Sequence, residues 1–270
     1  MINLYRIEKT QAIPIPLPDM SSLDAITRQL PDGYYSTFRT FGTCTRVLGL
    51  KSHLRRLFGP VTAPDVDASE LRRQLLLLLE PFRPDEARVR VMMTKAGQVY
   101  VAIEPLKALP TGIFESGVRV ETIEIQRESP RLKSTAFIGA SDLERKHIAQ
   151  EGIFEALLVK NGRILEGMTS NFFYAKDNIL CTAQRAVLLG VTRRTIIYLA
   201  RGRGVEVNYQ PLKKNQLSDV NETFITSSSR GVVPVIQIDK VTIGQGRPGQ
   251  ITRMLMSAYD DHVLQPAEKI

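Results

Sequence analysis

Apolar and polar positions alternate with a period of two along much of this chain, and the alternating runs come in pairs joined by short turns. GYYSTFRTFG (33–42) and TRVLGL (45–50) have strand composition with a Gly-Thr break between them, and SHLRRLF (52–58) follows as a short helix that Ser52 could cap. In DASELRRQLLLLLEPF (67–82) leucines fall on more than one helical face, which predicts a largely buried helix starting at Asp67 or Ser69 and stopping at Pro81. ARVRVMMT (87–94) and QVYVAIEPL (98–106) alternate around Lys95-Ala96-Gly97, a hairpin whose turn glycine takes positive φ without steric cost. Periodicity then fails across the proline-containing 104–112. The chain thus divides into a first domain over 1–105, a linker over 106–112 and a second domain over 113–270.

The second part repeats the strand-rich pattern. GVRVETIEI (117–125) precedes a helix near SDLERKHIAQ (141–150), and EALLVKNGRILEG (155–167) carries Asn161-Gly162, a strong two-residue hairpin signal. NFFYAKDNILCTA (171–183) makes a second hairpin, and VTRRTIIYLARGRG (191–204) a helix ending at Gly202 or Gly204. VEVNYQPL (205–212), ETFITSSS (222–229) and VVPVIQID (232–239) complete the strands. Hairpin runs with helices between the groups predict an α+β fold. GQGRPG (244–249) fits a dinucleotide-binding fingerprint in letters only, because no further strand or ribose-binding acid follows it; it reads as a turn into the helix QITRMLMSAYDDHV (250–263).

Composition narrows the function classes. With 43% apolar and 24% charged residues among 270, the chain is an ordinary globular protein, and no apolar run approaches the ~20 residues of a membrane span. The first residues lack an export signal, so a cytoplasmic location is expected. Two cysteines, Cys44 and Cys181, give no disulfide framework, and three scattered histidines give no metal motif. The net charge of +8 is spread over separate pairs of basic residues without a tail or repeated aromatic platform, which argues against nucleic acid.

Three segments of the second part carry more small polar residues than core packing requires. ILEGMTSNFFYA (164–175) sets Glu166 ahead of Gly167, Thr169, Ser170 and Asn171. LLGVTRRTII (188–197) puts a glycine and a threonine at a helix start, where free backbone N–H groups favour a phosphate. TFITSSSRGVVP (223–234) ends a strand in three hydroxyls ahead of Arg230. In this order they resemble the class IV aminotransferase family of fold type IV pyridoxal-phosphate enzymes, which includes branched-chain and D-amino acid transaminases and aminodeoxychorismate lyases. The family pattern E-G-x-x-S-N-x-F with a T-A end stands here as Glu166, Gly167, Ser170, Asn171, Phe173 and ILCTA, followed by Gly190-Val191-Thr192-Arg193. In RESPRLKSTAF (127–137) the family's L-K falls on Lys133, with Lys146 and Lys160 as competitors, and SHLRRLF places Arg56 on its phosphate-binding arginine.

The resemblance implies a two-domain fold, a small α/β N-terminal domain and a larger β-rich one, working as a homodimer. It implies pyridoxal 5′-phosphate in Schiff-base linkage to Lys133, the catalytic base, with Glu166 at the pyridine nitrogen. Val191, Thr192, Ser228 and Arg56 would bind the phosphate, and Asn171 would tie the turn. The implied activity is transfer of an amino group from an amino acid to a 2-oxo acid; the alternative within the family is the lyase that releases pyruvate and 4-aminobenzoate. Arg39 and Arg230 are candidates for a substrate carboxylate. The chain departs from the family in having Phe137 and Ile138 where many relatives have a tyrosine, and in the short TKAGQ turn (94–98), which lacks the Arg-x-His trap of the D-amino acid enzymes and the longer loop of the branched-chain ones.

Overall fold

A computed structural model describes residues 1–17, 22–265 and 267–270. These form two compact units, one comprising Met1–Lys107, Leu132–Ala140 and Val263–Ile270, the other Ala108–Arg131 and Ser141–His262. The first unit therefore takes in two segments that a linear reading assigns to the second half. Hydrogen bonds explain both: Tyr35 N–H donates to the Lys133 carbonyl and Thr135 N–H to that of Gly33, each at 2.9 Å, while Glu268–Lys269 pairs antiparallel with Arg46–Val47.

The first unit is built on a five-stranded antiparallel sheet, ordered Gln11–Ile15, Asn3–Glu8, Val99–Pro105, Ala87–Thr94, Gly33–Arg39 among the described residues. One face packs on the helices Leu50–Phe58 and Ala68–Leu79 through Leu54, Leu57, Leu71, Leu75 and Val91. Asp67 caps the second helix, its carboxylate accepting from Ser69 and Glu70 N–H, both at 2.8 Å. The first helix starts earlier than the sequence suggests: Gly49, at φ +65°, is its N-cap and Ser52 lies within the first turn. Only Arg46–Val47 of TRVLGL is strand, because its pairing partner, Glu268–Lys269, is itself two residues long. At Gly97 φ is +97° and a Cβ would lie 2.1 Å from the Ala63 carbonyl oxygen, so the turn needs glycine twice over.

In the second unit a larger sheet runs from Val207–Asn208 through Ile179–Thr182, Asn171–Lys176, Glu222–Ser227, Gly231–Ile238, Val118–Ile123, Glu155–Lys160 and Arg163–Gly167 to Leu212–Lys213. Asn171 also pairs with Glu166, so six of these strands close into a ring, which removes two open edges at one seam. Asn161 and Gly162 (φ +50° and +67°), like Asp177 and Asn178 (+52° and +63°), take the backbone that the tightest hairpins demand. VEVNYQPL contributes to two short strands, Val207–Asn208 and Leu212–Lys213, and the helix Thr111–Ser116 begins within the stretch read as a linker. The turn at 244–249 leads into the helix Gln250–Val263. Cys44 and Cys181 are both buried, and among the described residues no helix is long and apolar enough to cross a membrane.

Candidate active site

The seam of the ring fixes Glu166. Its side chain is 2% exposed. One carboxylate oxygen lies 3.0 Å from Arg127 Nε; the other accepts from Leu188 N–H at 2.9 Å and faces Asn171 Nδ2 at 3.4 Å. The cation and the amide donor both stabilise its negative charge in a buried setting. Arg127 is anchored in turn by donating to the Met168 carbonyl at 2.5 Å. Sequence reasoning missed this arginine, which opens the stretch leading to Lys133 but lies in a segment without periodicity.

Asn171 organises the neighbouring elements. It donates to the Leu188 carbonyl at 2.7 Å. A Cβ on Gly190 would fall 2.4 Å from its Oδ1, so only glycine lets the loop come this close. Gly190 precedes the helix Val191–Gly202 and offers no side-chain acceptor to the first N–H groups. Those donors and the helix dipole favour an anion there. Buried Thr192 Oγ1 meets no hydrogen-bond partner among the described residues, and neither does Thr226 Oγ1, on the residue paired with Asn171 across the sheet. Two buried, unpartnered hydroxyls around an uncapped helix start fit an acceptor brought from outside, such as a phosphate. Ser228 is half-buried in the turn that follows Thr226. Gly167 serves as a second close approach, since its Cβ would lie 2.1 Å from Ser170 Oγ.

Arg230 has an internal partner. Its guanidinium reaches the buried Glu155 and the Thr169 hydroxyl, both at 2.5 Å, bonds Ser227 Oγ at 3.2 Å, and stacks on Phe154. Glu155 also accepts from Thr169 N–H at 2.7 Å. Expected at a substrate carboxylate, Arg230 stands in the structure with its charge engaged by Glu155, 75 positions earlier, and ties the hydroxyl turn to the loop after Glu166. Arg193 is likewise structural, donating to Ala183 O and Gln184 Oε1 at 2.9 and 2.8 Å; burial lowers its pKa.

The first unit holds the other expected residues. Lys133 is half-buried, with Nζ 4.8 Å from the Tyr35 ring centroid; the Arg90 guanidinium sits on the same ring at 4.7 Å. By contrast Lys146 is exposed and paired with Asp142 at 2.9 Å, and Lys160 is exposed at a hairpin turn. Arg56 donates to Ser36 Oγ at 2.8 Å, and Ser36 Oγ lies 2.8 Å from Nδ1 of the buried His53. Arg39 stacks on Phe41 at 4.3 Å, and its buried Nε has no partner among the described residues.

Known proteins of one family are similar to this chain. The family model described as Amino-transferase class IV matches residues 33–238. The D-alanine aminotransferase of Bacillus licheniformis is 28% identical over 269 residues, covering 89% of this chain and 91% of that protein. A putative branched-chain-amino-acid aminotransferase of Methanocaldococcus jannaschii is 28% identical over 253 residues, covering 85% and 86%. Among solved structures, a putative branched-chain amino acid aminotransferase from Thermotoga maritima superposes with a TM-score of 0.79 at 25% identity, covering 98% of this chain and 96% of that one.

Proposed function

Because the chain belongs to the class IV aminotransferases, and is thus an enzyme that works with pyridoxal 5′-phosphate, we propose that it moves an amino group from an amino acid to a 2-oxo acid with Lys133 as the catalytic residue. The observation that carries the reading is the buried Glu166–Arg127 pair beside a helix start whose Thr192 hydroxyl has no partner among the described residues. When bound, the cofactor supplies an aldehyde that links to an amine and a pyridinium ring that draws electrons from the substrate carbon. Glu166, whose negative charge Arg127 and Leu188 N–H favour, would accept a hydrogen bond from the protonated ring nitrogen. The N–H groups of Val191 and Thr192, the Thr192 and Ser228 hydroxyls and the Arg56 guanidinium would hold the phosphate. Lys133 would hold the cofactor through its amine and, when that amine is free and neutral, would serve as the base for the α-proton. Arg39, with its unpartnered Nε, is the group assigned to a substrate carboxylate. A homodimer in the cytoplasm accompanies this reading; size-exclusion chromatography with light scattering tests the assembly.

The test is spectroscopic and chemical. The purified protein should be yellow, and borohydride reduction followed by peptide mapping should put the added mass on Lys133. Lys133→Ala should lose it; a reducible adduct surviving in that variant means that another lysine serves. A panel of amino donors should then yield half-transamination in the absence of acceptor. Release of 4-aminobenzoate from aminodeoxychorismate with no half-transamination of any donor would replace transfer by the lyase reaction.

A further inference from the structure

The hairpin Glu155–Lys160/Arg163–Gly167 carries an arrangement that the amino-transfer chemistry leaves unused. Lys160 is paired with Arg163 across this hairpin, and Arg163 with Lys213 on the strand beyond, so three cations stand side by side on one face of the sheet. Like charges directly opposite one another in a sheet repel. Neither these three nor the nearby Arg185 meets a carboxylate among the described residues. Beside the row opens a cavity of 540 Å³ lined by Lys160, Arg163 and Arg185 together with Leu165, Ala186 and Tyr209. The Tyr209 ring is held by Arg193 and Arg201, whose guanidinium carbons lie 5.7 and 5.8 Å from its centroid, yet it remains 43% exposed. The cavity combines clustered positive charge with a flat apolar wall and lies wholly within the second unit.

We propose that this cavity is a binding site for a small multivalent anion bearing a flat ring, the chemistry shared by nucleoside phosphates and aromatic dicarboxylates. Lys160, Arg163 and Arg185 bind the charged end, where an anion relieves the repulsion along the row. Tyr209 stacks on the ring, with Leu165 and Ala186 beneath it. The assignment stands on this geometry alone and does not depend on how the amino group is transferred.

Calorimetric titration tests it, using enzyme saturated with pyridoxal phosphate and reduced with borohydride so that the phosphate cup is filled. Pyrophosphate, ADP and isophthalate are compared at constant ionic strength. Saturable one-to-one binding is expected for at least one of them. ADP should exceed pyrophosphate through the ring contact, and Tyr209→Ala should erase that difference. Arg163→Ala with Arg185→Ala should weaken binding about tenfold or more, while Arg163→Lys retains most of it; matching melting curves establish that these exposed positions leave the fold intact. Binding of isophthalate alone assigns a carboxylate ligand, and binding of pyrophosphate and ADP a phosphate one. No saturable binding of any probe, or binding that ignores the Arg163 and Arg185 substitutions, overturns the proposal.

Discussion

Replacing Arg127 by methionine tests how Glu166 is held. Both side chains are almost wholly enclosed, at 5% and 2% exposure, and the ion pair spans 3.0 Å. In Arg127→Met the carboxylate keeps the Leu188 N–H at 2.9 Å, the long Asn171 contact at 3.4 Å and the longer-range attraction of Arg193, but loses the cation paired directly with it. Removing one partner of a buried pair costs about 3–5 kcal/mol, because the remaining charge is left uncompensated. For a chain of this size that corresponds to roughly 6–10 °C in melting temperature, at about 2 °C per kcal/mol. Methionine fills similar space with apolar atoms, so the loss isolates the charge more than the volume. The measurement is calorimetry on cofactor-free protein, since bound cofactor would add its own stabilisation. Glu166→Gln on the Arg127→Met background should then recover most of the loss, because a neutral amide needs no cation and still accepts from Leu188 N–H. A shift below about 2 °C for Arg127→Met refutes the reasoning. So does a Glu166→Gln step that costs as much in the variant as in the parent protein.

Thr192→Val should leave the melting temperature of the cofactor-free protein unchanged, because the hydroxyl has no partner among the described residues, while cofactor affinity falls by about 1.5–3 kcal/mol, roughly tenfold or more by fluorescence titration. Gly190→Ala brings a Cβ to 2.4 Å from Asn171 Oδ1 and should push the amide off Leu188, lowering activity more than stability in parallel turnover and melting assays. Arg39→Met should raise KM for a dicarboxylic donor with kcat nearly unchanged, as expected of a group that binds substrate and transition state alike. Asp239 gives a pH signature. Burial pushes its carboxyl up, but donation from Thr122 N–H (2.7 Å) and hydroxyl (2.8 Å) and the Lys214 ion pair (3.0 Å) outweigh that and hold it below the usual aspartate range. A depressed carboxylate contributes stability above its unfolded pKa and loses it as pH falls through the folded one. Asp239→Asn should therefore be less stable than the parent near pH 7, and the gap in melting temperature should narrow below about pH 4.

Local signals were legible where one short stretch determined the outcome. Asn161-Gly162 and Gly97 announce their turns because few residues tolerate positive φ, and Asp67 caps its helix from two and three residues away. The hairpin of Asn3–Glu8 with Gln11–Ile15 escaped notice since its turn places Lys9 at φ +49°, without a glycine to mark it. Ser52 was a plausible cap by type, but Gly49 takes the position through a left-handed backbone that composition does not reveal. In the site, Glu166 and Thr192 stood out through the residues around them. The partners did not: Arg127 lies 39 positions before Glu166, and Glu155 lies 75 before Arg230, separations that only the closed sheet brings within bonding range. A charged side chain's role depends on such neighbours, which explains why Arg230 read as available and is engaged.

The threading of the first unit bears on how the chain is made. Ile270 is buried in the same core as Leu50 and Leu75, and Glu268–Lys269 supplies the pairing partner of Arg46–Val47. Ribosomes deliver residues in order, so Met1–Lys107 emerges without Leu132–Ala140 and without Val263–Ile270. The early-made half must wait for the late-made tail, and a nascent chain stalled at Lys107 displays an incomplete core to chaperones and proteases. Lys133 arrives within the earlier of those two segments, whose Ile138 packs with Leu23, Ile26 and Tyr35, so the proposed catalytic amine is delivered together with the side chain that completes this second apolar cluster.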